Sequence, residues 1–134
     1  MPNMIQKYKL DHETYIETKQ FCRNYPAWLK EYNSLLGRTP IRDGQPHGTG
    51  TSDPVAATAM KMVDVAIKLD AIWKPMLLLP KAYQKPIFDH VVYKKPFPDY
   101  ASISTWRRWQ YKYIFLVAQK REELQRYASE DEDY

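Results

Sequence analysis

The chain is poor in the residues from which catalytic and metal sites are commonly built. It has one cysteine, Cys22, and three histidines among 134 residues. A single cysteine cannot form an internal disulfide, which is typical of a protein from a reducing compartment. His12, His47 and His90 are far apart in the sequence, and none forms a metal-ligand motif with Cys22 or with paired acids. We therefore predict no metal ion and no cofactor.

Arrangements suited to acid–base or nucleophilic catalysis are missing too. Asp64 and Asp70 lie six residues apart on a predicted helix, so their carboxylates do not stand side by side. The hydroxyls of Ser102, Ser104 and Thr105 are explained by a turn and a helix cap without a nucleophile. We predict that the protein is not an enzyme.

Long apolar segments are also lacking. No apolar run approaches the roughly 20 residues that a membrane span requires. The amino-terminal MPNMIQKYK has no apolar signal core. We expect a cytoplasmic protein that does not contact a membrane.

Glycine is scarce and confined to one segment. All four glycines lie between Gly37 and Gly50, in GRTPIRDGQPHGTG. Residues 37–52 are therefore predicted to form a flexible Gly/Pro loop. A phosphate-cradling loop is the alternative, but the segment lacks the GK[ST] ending and follows no strand-like sequence.

Positive charge is abundant and unevenly distributed. The formal net charge is +4, and four acids lie in the last five residues, EDEDY. Residues 74–126 contain eleven basic and four acidic side chains, a net of +7. This excess favours a nucleic-acid partner, although ordinary soluble domains can have a similar charge.

The first half of the chain predicts a helical hairpin over residues 11–36. The Tyr25-Pro26 step ends a first helix, because the residue before proline avoids the helical conformation. Pro26 suits the first turn of a second helix, PAWLKEYNSLL, which Gly37 closes.

The second half predicts a helical DNA-binding core over residues 53–127. The helices expected here cover residues 54–74, 81–93 and 105–127. The whole is a small all-α, multi-helix domain over residues 1–129, followed by an acidic tail over 128–134.

Apolar spacing predicts which helix faces are buried. In the helix after Asp53-Pro54 the inward residues are Val55, Ala59, Met62, Ala66, Leu69 and Trp73, opposite Lys61, Asp64 and Lys68. In the next helix they are Ile87, Phe88, Val91 and Val92. We expect these faces to form the core.

The last helix combines an aromatic flank with a cationic flank. The predicted core residues share an arc of about 100° and are Trp106, Trp109, Tyr113, Leu116, Val117 and Leu124. The flank expected to face water or a partner consists of Arg107, Arg108, Tyr111, Lys112, Phe115 and Gln119. Arginine can bond guanine and glutamine can bond adenine, so this flank suits a DNA major groove. Lys94 and Lys95 in the preceding turn are expected to contact phosphates, and Ser102 or Ser104 to cap the helix.

Two segments resemble a known family. LPKAYQKPIFDHVVYKKP and STWRRWQYKYIFLVAQK, within residues 53–124, are similar to the carboxyl-terminal halves of phage transcriptional regulators of the RinA and ArpU type. The resemblance implies a helix–turn–helix like that of sigma-factor region four, and a sequence-specific activator of late phage genes in the host bacterial cytoplasm. It also implies that Thr105, Arg107, Arg108, Tyr111 and Lys112 contact double-stranded DNA. We also expect Ser104, at the helix start, to be a DNA-binding residue.

One departure from that family leaves other functions open. Only PDYASIS separates the basic turn from the last helix, so the helix–turn–helix is expected to be abridged. The main alternative is a phage-encoded protein-binding module that inhibits or redirects a host protein, such as RNA polymerase or a defence factor. A packaging or structural accessory protein is a third possibility, and a solvated amphipathic helix without a ligand is the simplest one. For the DNA-binding function we expect a homodimer, because operators commonly mirror protein symmetry.

Overall fold

A computed structural model describes residues 10–38 and 54–132, with no account of the side chains of Arg38, Pro54 and residues 127–132. The described residues form five α-helices and no strand, which confirms the all-α class. The helices are α1 His12–Arg23, α2 Tyr25–Arg38, α3 Pro54–Met76, α4 Lys81–Tyr93 and α5 Ile103–Glu132.

Several helix ends differ from the expected ones. Helix α2 continues through Gly37 to Arg38, and α5 begins at Ile103 and extends to Glu132, into the segment expected to be a tail. Ser102 caps α5, because its hydroxyl accepts the Thr105 N–H at 3.3 Å. The expected Gly/Pro loop lies outside the described residues from residue 39 onwards.

Helices α1 and α2 are separated by Asn24 alone. The Asp11 carboxylate caps α1 by accepting the Thr14 N–H at 3.1 Å and the Thr14 hydroxyl at 2.6 Å. The Asn24 N–H donates to the Phe21 carbonyl, and Pro26 occupies the first turn of α2 as expected. The predicted helical pair is therefore present.

Two clusters of buried side chains hold the helices together. Leu35 of α2 packs with Val65 and Leu69 of α3 in the smaller cluster. The larger cluster joins α1, α3, α4 and α5 through Cys22, Ile72, Met76, Leu79, Ile87, Phe88, Val91, Val92, Trp106, Tyr113, Ile114 and Val117. Each fully buried Val, Ile or Phe side chain contributes roughly 1.5–3 kcal/mol relative to an exposed one. Helix α5 is the central element of this packing.

The buried face of α4 is the one predicted from the sequence, whereas the buried faces of α3 and α5 differ from the predicted ones. All four residues expected inside α4 are buried. In α3, Ala59 and Trp73 are exposed, whereas Val65 and Ile72 are buried. In α5 the expected core residues are buried or half-buried, but Gln110 and Ile114 are buried as well. The arc is wider than that of a surface helix because α1 also packs on α5.

The connection between α4 and α5, residues 94–102, folds back along α4. Pro86 has no N–H, so the Ala82 carbonyl lacks its helical donor. The Tyr100 hydroxyl supplies that hydrogen bond, at 2.6 Å. The Trp106 indole N–H donates to the Pro98 carbonyl at 2.9 Å, and the Trp106 ring stacks on Phe97. The connection is thus tied to both helices.

This geometry departs from the expected helix–turn–helix. That motif joins its two helices through three or four residues, and the start of its second helix lies against DNA. Here a longer connection, residues 94–102, doubles back along α4.

Candidate nucleic-acid interface

Helix α1 covers part of the flank of α5 that was expected to be open. The Tyr15 ring stacks on Tyr111 with the ring centres 5.5 Å apart. The Tyr111 hydroxyl accepts the Leu10 N–H at 2.8 Å and donates to the Leu10 carbonyl at 3.3 Å. The Tyr111 hydroxyl is therefore engaged inside the chain and the residue is half-buried, so the expected exposure of Tyr111 is only partial.

The carboxyl-terminal part of the same flank lies in a groove with acidic neighbours. Phe115 and Gln119 line a cavity of about 420 Å³ together with Glu17, Arg121 and Glu122. Phe115 is half-buried there, so the expected exposure of its ring is only partial. The two carboxylates outnumber the one guanidinium of this groove and repel phosphates, so Phe115 and Gln119 are less well placed for contact with a DNA backbone than side chains of a cleft that no carboxylate lines.

The exposed cations of α5 lie nearer its amino-terminal end. Arg107 and Arg108 are exposed, and Lys112 is half-buried with its ammonium 5.4 Å from the centre of the Trp109 ring. The hydroxyls of Ser104 and Thr105 lie 3.1 and 2.9 Å from the Ser102 hydroxyl. These two hydroxyls therefore belong to the cap of α5.

The turn after α4 carries two exposed lysines in a constrained backbone. Lys94 ends α4 in the left-handed conformation, with φ of 59°, and its N–H donates to the His90 carbonyl at 3.0 Å. The Lys95 N–H donates to the Asp89 carbonyl at 3.3 Å. Glycine or asparagine usually occupies this position, because a Cβ there is sterically unfavourable. Lys94 therefore combines a strained backbone conformation with an exposed side chain.

A second cavity of about 420 Å³ opens between α1, α4 and α5. We call it the basic cleft, and its lining residues are Tyr15, Lys19, His90, Phe97, Ile103, Arg107, Gln110 and Tyr111. No carboxylate is among them. Burial, and then the neighbouring Arg23, lower the pKa of Lys19 below its usual value. Both effects disfavour the ammonium form, so an anion at this position would be stabilising.

The basic cleft adjoins the lysine turn through His90. The His90 Nδ1 lies 2.7 Å from the Lys95 carbonyl, which can only accept, so Nδ1 carries a proton. The His90 ring also stacks on Phe97, with ring centres 3.7 Å apart. We call the resulting patch the basic surface, and its cations are Lys19, Arg23, Lys94, Lys95 and Arg107.

Sequence reasoning missed Lys19, Arg23 and His90. Arg23 lies four residues after Lys19, and Tyr15 lies four residues before it, so no acidic partner is within one turn on that side of α1. Such a pattern is common on the helices of soluble proteins and does not indicate a function. Only the packing of α1 against α4 and α5 brings Lys19 beside Arg107 and His90.

The buried thiol offers no reactive group. Burial raises the pKa of Cys22 to about 12, so the thiolate form is disfavoured near neutral pH. Within residues 10–38 and 54–132, no three His, Cys, Asp or Glu side chains gather closely enough to hold a metal ion. In that same part of the chain, none of the helices combines the length and apolar character needed to cross a membrane.

Comparison of the chain with known protein families, with curated proteins and with solved structures found no match. The resemblance to phage regulators of the RinA and ArpU type stays a prediction from the sequence.

Proposed function

We propose that the protein binds double-stranded DNA through the basic surface and acts as a transcriptional regulator of phage genes. The observation that carries this proposal is the convergence of cations from α1, α5 and the turn after α4 around a cleft without carboxylates. Lysine and arginine contacts to phosphates supply most of the affinity in non-specific DNA binding and position the protein on the duplex.

Base contacts are assigned to the exposed start of α5. Arg108 is exposed and directly follows Arg107, which is one of the cations of the basic surface. A guanidinium can make paired hydrogen bonds to the O6 and N7 atoms of guanine. Thr105 lies one turn before Arg108 and Lys112 lies one turn after it, and both are suited to supporting contacts. Arg108 is therefore the residue that we expect to confer sequence preference.

The proposal is tested by removing the two charges of the lysine turn. The double variant Lys94→Gln, Lys95→Gln is expected to bind a DNA duplex more weakly, and to reduce the log–log salt slope of the affinity by about two. A fluorescence-anisotropy titration at several salt concentrations measures both quantities.

A matched control removes the same charge from another part of the molecule. Lys61 and Lys74 lie on α3, have exposed side chains, and pair with Glu31 and Asp70. The double variant Lys61→Gln, Lys74→Gln should retain the wild-type salt slope. An equal loss of slope in both double variants would mean that net charge, and not the basic surface, determines binding.

A protein-binding function is the second candidate, favoured by an apolar stripe on α3. Met60, Val63 and Ile67 are 70%, 56% and 42% exposed and lie on one face of that helix. On this alternative the partner is a host protein such as RNA polymerase. Capture of one host protein from nuclease-treated lysate by the wild type, but not by Val63→Glu, would support it. Loss of capture after nuclease treatment would favour DNA binding.

A further inference from the structure

We propose that the basic cleft is a binding site for a nucleotide-sized phosphomonoester, with the phosphate held between Lys19 and Arg107. This site is distinct from contact with internal phosphates of a duplex, and it does not depend on the DNA-binding function proposed above.

The first argument is the set of hydrogen-bond donors that line the cleft. Lys19 supplies an ammonium from α1, and Arg107 supplies a guanidinium from α5. A guanidinium matches two phosphate oxygens at once, and an ammonium adds a compact charge. Neither cation forms an ion pair with a carboxylate of the described residues. Both charges are therefore available to an anion.

Tyr15 provides a third donor. Its hydroxyl oxygen accepts a hydrogen bond from the Gln110 amide at 3.0 Å, which leaves the hydroxyl proton for another acceptor. Burial raises the pKa of Tyr15, so the hydroxyl stays protonated. Gln110 is itself buried, and this hydrogen bond fixes the position of the Tyr15 hydroxyl. A phosphate oxygen in the cleft would accept a hydrogen bond from this hydroxyl proton.

The second argument is size. A cavity of about 420 Å³ is larger than a phosphate ion and falls within the usual range for small-ligand sites. Phe97, Ile103 and Tyr111 supply apolar wall beyond the cations. An organic group attached to the phosphate therefore has a surface to pack against, which favours a nucleotide over free phosphate.

Calorimetric titration of the full chain with 5′-deoxyadenosine monophosphate tests the site. We expect the nucleotide to bind and the nucleoside deoxyadenosine, which has no phosphate, to give no measurable binding. Inorganic phosphate should bind more weakly than the nucleotide. Lys19→Gln and Arg107→Gln should each lower nucleotide affinity by about tenfold or more, because each removes a charged hydrogen bond.

Control variants separate this site from its surroundings. Lys74→Gln removes one exposed charge from α3, outside the cleft lining, and should leave nucleotide affinity within about twofold. The Lys94→Gln, Lys95→Gln pair should weaken duplex binding while nucleotide binding persists, so failure of one proposal can be distinguished from failure of the other. Circular dichroism confirms that each variant is folded.

The source of the phosphate is distinguished with duplexes that carry or lack a 5′-terminal phosphate. Preference for the phosphorylated end assigns the site to a DNA terminus, whereas nucleotide binding without that preference assigns it to a free nucleotide. Equal affinity for nucleoside and nucleotide would overturn the proposal. An equal loss in Arg107→Gln and Lys74→Gln would overturn it as well.

Discussion

At the scale of single residues, Lys94 combines an exposed charge, which we propose contacts DNA, with a strained backbone conformation. Its φ of 59° is costly for a residue with a Cβ. Lys94→Gly is expected to raise the free energy of unfolding by about 1 kcal/mol, because glycine adopts this conformation without steric cost. The same variant should bind DNA more weakly, since one phosphate contact is lost. Urea unfolding and duplex titration measure the two effects.

Lys95→Gly is the comparison for this prediction. Lys95 is not among the described residues with positive φ, so the variant removes a charge without relieving strain. It should weaken DNA binding and lower stability slightly. If Lys94→Gly bound DNA as well as the wild type, the lysine would have no role at that turn.

The two tryptophans of α5 should contribute unequally to stability. Trp106 is 1% exposed and its indole N–H donates to the Pro98 carbonyl, whereas Trp109 is half-buried and stacks on Tyr83. Trp106→Ala is therefore expected to lower the free energy of unfolding by about 3–5 kcal/mol. Trp109→Ala should cost clearly less. Denaturant unfolding of both variants checks the order, and a larger loss at Trp109 would contradict this description of the core.

At the scale of helices, the α4–α5 connection depends on a proline and a tyrosine. Tyr100 donates to the Ala82 carbonyl that Pro86 leaves without a helical partner. Tyr100→Phe should lower stability by about 1 kcal/mol in the wild-type chain. The same substitution should cost less in a Pro86→Ala background, because the backbone N–H that alanine restores can then donate to that carbonyl. A double-mutant cycle by urea unfolding measures the difference, and additive losses would exclude this explanation.

The positions of the helices were largely predictable from the sequence, but the packing of one helix against another was not. The prolines at residues 26 and 54 predict the starts of two helices. The apolar spacing in α4 predicts which of its residues are buried. Tyr111 is less exposed than its position in α5 predicts, because Leu10 and Tyr15, which contact it, are separated from it by most of the chain. Periodicity within α5 contains no information about that contact.

The same is true of the candidate site: residues close together in the sequence were predictable, and residues brought together by packing were not. Arg107 and the two lysines of the turn could be named from charge and position, since they lie close together in the sequence. Lys19 and His90 come from other helices and join them only through packing. Long-range packing also separated Phe115 and Gln119 from the cations, by placing them beside Glu17 and Glu122.

At the scale of the whole molecule, α1 contributes to two cavities that differ in charge, since carboxylates line only one of them. Glu17 lines the groove on one side of α1, and Lys19 lines the basic cleft on the other. DNA should therefore approach from the side of the lysine turn and avoid the acidic groove. The expected homodimer stays a prediction, and its two basic surfaces would have to face the same side of a duplex.

The most direct test of DNA binding by the basic surface is the salt dependence of duplex affinity for the wild-type protein. Contact with about four to six phosphates predicts a slope of log affinity against log salt concentration of about −4 to −5. A slope near zero, or no duplex binding at low salt, would contradict the proposal that this surface contacts DNA.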